Sequence, residues 1–106
     1  MNLLSQEILE NWYAINFENK LKGRRILFED IEPLIKKLSS KFKKEILGYS
    51  ENNIPIYKIS LGSGKKRILS WSQMHGNEST GTKALFDLFN FFESNDEEIN
   101  KITEIK

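Results

Sequence analysis

Apolar positions along the chain fall into four differently spaced groups, and each spacing predicts an element. Leu3, Leu4, Ile8 and Trp12 recur roughly on one helical face, which predicts a helix over 3–14. Residues 16–23 are polar and read as a loop. Ile31, Leu34, Ile35 and Leu38 are spaced i, i+3, i+4, i+7. This predicts a second helix from about 28 or 31 to 40, with Pro33 tolerated in its first turn.

The period then changes. Residues 45–49 read as a short strand, Glu51-Asn52-Asn53 as a turn, and 54–61 as a second strand with Pro55 at its edge-compatible start. Gly62-Ser63-Gly64 turns the chain again. Residues 67–74 read as a third, mostly buried strand, with Ile68, Leu69 and Trp71 inside it. Three successive strands on tight turns predict an antiparallel start to a sheet.

A last helix is expected to about residue 93, with Ser79, Thr80 and Thr82 offering capping oxygens. Leu85, Leu88, Phe89 and Phe92 form one face, and Phe86 and Phe91 fall on other sides. A helix apolar nearly all round needs cover on more than one side. The tail from Ser94 is polar, with Ile99, Ile102 and Ile105 at helical or strand-edge spacing. The fold class expected is α/β, a partial mixed sheet with antiparallel strands at its start, flanked by helices.

Composition sets bounds. With 106 residues, 39% hydrophobic and 11% aromatic content, the chain can build a core, but it is small for an α/β enzyme with a complete sheet. A net charge of +1 gives no global electrostatic case for nucleic acid or an anionic membrane. The lysines at 36, 37, 41, 43 and 44 read as a solvated face and helix end; an anion-binding surface is the sharper alternative. Without cysteine there is neither a disulfide framework nor a thiolate metal site. Glu7 and Glu10 break the first apolar run, no basic region precedes it, and no run approaches a membrane span. A cytoplasmic location is the default expectation.

The candidate chemistry lies between the third predicted strand and the last helix. His75 is the single histidine, and Glu78 follows three residues later. An imidazole nitrogen and a carboxylate oxygen suit Zn²⁺. The spacing alone carries little: the chain has 12 glutamates, so a Glu meets a lone His at that spacing by chance about once in nine. Trp71 and Met74 beside the pair read as core residues. Ser72 and Ser79 have no base partner beyond His75, which argues against a serine hydrolase.

Context adds specificity. The ordered run Ile46-Leu47-Gly48-Tyr49-Ser50, Ile54-Pro55-Ile56-Tyr57, Leu61-Gly62, then Met74-His75-Gly76-Asn77-Glu78 resembles the opening of a zinc carboxypeptidase catalytic domain, of the carboxypeptidase A-like metallopeptidases. The likeness covers about residues 45–93. It implies that residues 1–44 are a helical lead-in and 45–106 the first part of a truncated catalytic domain with an incomplete zinc-carboxypeptidase-like fold.

By the same resemblance, His75 and Glu78 are the first two zinc ligands, with Gly76 and Asn77 as the turn between them. The family's third ligand is a downstream histidine, and its substrate-binding arginines and general-base glutamate also lie downstream. Arg24, Arg25 and Arg67 match none of these motifs. The implied parent is a hydrolase acting on peptide or protein C-termini, and the chain alone is expected to be inactive. A non-enzymatic, self-associating or partner-binding module, covering the exposed apolar helix, is the competing expectation.

Overall fold

A computed structural model of the chain describes residues 5–94. It is a small mixed α/β fold of three helices and a two-stranded antiparallel sheet. Helix α1 spans Gln6–Asn16, α2 Phe28–Lys37 and α3 Thr80–Glu93; strand β1 is Lys43–Tyr49 and β2 is Pro55–Ser60. Leu3 and Leu4 of the first predicted face, and the apolar residues of the tail, lie outside the described residues.

Local chemistry explains where the helices begin. The Ser5 hydroxyl accepts the Ile8 N–H at 3.1 Å and caps α1. The Asp30 carboxylate reaches back to accept the Leu27 N–H at 2.8 Å at the start of α2. Because α2 begins at Phe28, Pro33 falls in its second turn and not its first. There it removes the bond that would run to the Glu29 carbonyl. Leu34 and Ile35 still bury as the periodicity predicts, and α2 ends at Lys37, short of residue 40.

The two strands pair as expected, and Pro55 sits at the first position of β2. Leu47 interrupts the register between Ile46 and Gly48 as an extra, exposed residue. Asn53 takes φ 60° in the connecting turn, a left-handed conformation that asparagine tolerates. Tyr57 and Ile59 face inward from alternate positions of β2.

The third strand does not form. Residues 67–72 carry no strand pairing, and Ile68 and Leu69 are 90% and 82% exposed. Adjacent apolar residues in an extended segment point to opposite faces, so they need cover on both sides and a hydrogen-bonded neighbour. Neither is supplied by the described residues. The same cause leaves Trp71 and Met74 exposed and not in the core.

The core joins Leu21, Ile26, Leu34, Ile35 and Phe86, with Ile31, Tyr57, Ile59 and Phe89 packed against it. It therefore draws on residues both before and after position 44. Helix α3 is its spine. Its buried stripe is Thr82 and Phe86, with Phe89 half-buried, whereas Leu88 on the expected face is exposed. The difference is a rotation toward the loop at 21–26, which supplies two of the five core residues. Phe86 meets Phe89 edge-on at 5.3 Å, Phe89 meets Phe42 at 5.5 Å, and Phe91 meets Trp12 at 5.3 Å. Among the described residues the most exposed large apolar side chains are Ile68, Leu69, Trp71 and Met74, Ile15 on α1 and Leu47 on β1, not residues of α3.

Among the lysines, Lys36 pairs with Glu32 and Lys43 with Glu45, while the Lys41 and Lys44 ammonium groups donate to the Phe92 and Leu38 carbonyls. No helix among the described residues is long and apolar enough to cross a membrane.

Candidate metal centre

His75 and Glu78 come together. Two residues of turn, Gly76 and Asn77, separate them, and the Glu78 N–H donates to the His75 carbonyl at 3.0 Å. That i to i+3 closure folds the backbone so that the two side chains lie side by side. His75 Nδ1 stands 3.0 Å from Glu78 Oε2. Both side chains are about two thirds exposed, at 68% and 67%. One residue further on, Ser79 opens α3, so the Glu78 carboxylate lies near the positive end of that helix dipole.

The pair's geometry can be tested against zinc. With Zn–N and Zn–O bonds near 2.1 Å and a tetrahedral angle, two donors stand about 3.4 Å apart. The observed 3.0 Å separation needs an opening of only a few tenths of an ångström, within the freedom of two exposed side chains. A metal ion between the two would take the place of their hydrogen bond. Two of the three protein ligands of a catalytic zinc thus fit in donor chemistry and spacing. Among the described residues no group of three or more His, Cys, Asp or Glu side chains is placed to hold a metal ion.

The pair opens onto a cleft of about 560 Å³ whose wall includes Arg24, Asn77, Thr80 and Lys83. The exposed Trp71 lines it too, and its indole N–H points at Met74 Sδ at 2.7 Å. Arg24 in this wall had no matching motif in the sequence. It arrives because the Ser79 hydroxyl donates to the Arg24 carbonyl at 2.7 Å.

That bond also corrects the expected caps. Ser79 occupies the N-cap position of α3, but its hydroxyl serves Arg24 and makes no capping bond. Thr82 donates to Gln73 Oε1 at 2.7 Å and stands 2.8 Å from the Ser72 hydroxyl, so it is a tertiary contact and not a cap. Thr80 is the first residue of the helix itself. Ser79 and Thr82 are themselves buried, where an unpaired polar group would be costly, so their hydroxyls are taken up by Arg24 and Gln73.

No family model, curated protein or solved structure matches this chain.

Proposed function

We propose that this chain is the opening part of a metal-dependent hydrolase domain, with His75 and Glu78 as two of its metal ligands. More specifically, the ordered motifs support a zinc carboxypeptidase, which cleaves residues from peptide or protein C-termini. The observation that carries the reading is the convergence of His75 Nδ1 and Glu78 Oε2 at 3.0 Å, exposed on a cleft at the start of α3. A His–Glu hydrogen bond alone would also bring these groups together, and the ordered motifs around them are what favour a metal.

Zinc in such a site polarises a carbonyl and acidifies bound water. In this chain, His75 and Glu78 would hold the ion, and the His75-Gly76-Asn77-Glu78 turn would fix the angle between them. The third ligand, the arginines for the substrate carboxylate and the general base come from a further segment of polypeptide. On its own the chain binds zinc weakly and does not hydrolyse peptides.

Equilibrium dialysis tests the ligand assignment. The chain should take up about one zinc, and His75→Ala and Glu78→Gln should each lose it; equal zinc in all three removes the pair from the metal. A reading frame that continues past Lys106 without a histidine at the end of a later strand would remove the peptidase itself.

A second reading has its own observation. Ile68, Leu69 and Trp71 are each largely exposed, and Trp71 lines the cleft. A second copy covering them would make the chain a self-associating module. Light scattering on the purified chain decides, because a monomer at high concentration excludes it.

A further inference from the structure

The turn that carries the candidate ligands is exposed and short, so something must hold it. Gln73, two residues before His75, is placed to do so. Its backbone sits at φ 54°, in the left-handed region that a glutamine rarely adopts. Its side-chain amide is engaged at both ends. The nitrogen donates to the Ile26 carbonyl at 2.8 Å and to the Gly76 carbonyl at 2.9 Å. The oxygen accepts from the Thr82 hydroxyl at 2.7 Å.

The amide orientation is unambiguous, because two backbone carbonyls can only accept and must face the nitrogen. Thr82 has a single hydroxyl proton, and it goes to Gln73. The Ser72 hydroxyl must therefore be the donor in its 2.8 Å contact with Thr82. One side chain thus ties three separate segments: the 24–26 loop, the metal-binding turn at Gly76 and helix α3 at Thr82. A second tie, from the Ser79 hydroxyl to the Arg24 carbonyl, runs parallel to it.

We propose that Gln73 is a positioning residue for the His75–Glu78 pair, and that through it the 24–26 loop is part of the metal site's support. This rests on the metal reading of that pair. Residues that hold metal ligands in place, without touching the metal, change affinity when they are lost. A local left-handed conformation persists only when its surroundings over-determine it, and here three hydrogen bonds do so.

The test is Gln73→Gly, read by ¹⁵N relaxation and zinc titration on the full chain. Glycine accepts φ 54° without strain, so relief of strain offsets part of the lost bonding and the fold survives. Amide order parameters at residues 75–78 should fall from about 0.85 to below about 0.6, while those in α3 stay high. Zinc affinity should drop about 10- to 100-fold. Gln73→Asn, which tolerates the left-handed backbone but is one methylene too short to span both carbonyls, should fall in between.

Unchanged order at 75–78 overturns the proposal whatever zinc does. Loss of order throughout α3 overturns it too, since Gln73 would then be holding the fold and not the turn. A loosened turn with unchanged zinc affinity refutes the positioning of ligands. If the turn loosens in the variant but the parent chain takes up no zinc, the metal reading falls while the control of the turn by Gln73 stands.

Discussion

Replacing His75 by alanine should separate metal binding from folding. The His75–Glu78 contact is two-thirds exposed, and pairs of that kind contribute about 0–1 kcal/mol. Neither side chain belongs to the core. His75→Ala should therefore move the metal-free melting temperature by a few degrees at most. Zinc acts differently. At a free concentration one hundred times its Kd, a ligand that binds only the native state stabilises it by about 2.7 kcal/mol. For a domain of this size each kcal/mol is worth roughly 4–8 °C. The parent chain should then melt roughly 10–20 °C higher with saturating zinc than without. His75→Ala and Glu78→Gln should show almost none of that rise at the same zinc concentration. Calorimetry or circular dichroism with and without zinc makes the comparison. A His75→Ala variant that keeps the full zinc-induced rise would rule out His75 as a ligand. A metal-free variant that is already unfolded would show the pair to be structural.

Four substitutions test the scaffold beneath the site. Phe86→Ala empties the centre of the core, where the ring is 6% exposed, and should lose about 3–5 kcal/mol by urea unfolding. Leu88→Ala on the exposed side of α3 should lose less than about 1 kcal/mol; equal losses would mean that α3 is rotated from the orientation described. Asp87→Ala removes a carboxylate that accepts the Glu18 N–H at 2.7 Å, and should lose about 1–3 kcal/mol by the same measurement; no loss would show the contact to be unimportant. Gly81→Ala places a methyl 3.4 Å from Ser72 Cβ, an ordinary contact, and should gain about 0.5–1 kcal/mol from helix propensity; a fall in melting temperature would mean that the Ser72 segment cannot accommodate it.

Much of the fold was legible because its signals are local. The i, i+3, i+4, i+7 spacing of Ile31 to Leu38 placed α2, and the turn residues around Asn53 placed the β1–β2 hairpin. The motif His75-Gly76-Asn77-Glu78 placed the candidate ligands before α3, where the chain puts them. Spacing fixes which residues can meet within a turn, since the backbone between them is short and its conformations few.

What the tertiary structure decided depends on groups distant in sequence. Residues 67–72 have the pattern of a buried strand, yet a strand needs a neighbour to bond and two faces to cover, and pattern alone supplies neither. The inward face of α3 was set by Leu21, in a stretch that reads only as a polar loop, and by Ile26 just after it. The hydroxyls of Ser79 and Thr82 had cap spacing, but stronger claims came from Arg24 and Gln73. Gln73 itself carried no signal at all. Its role exists only because Ile26, Gly76 and Thr82 converge on one amide, and no local rule relates position 26 to position 73.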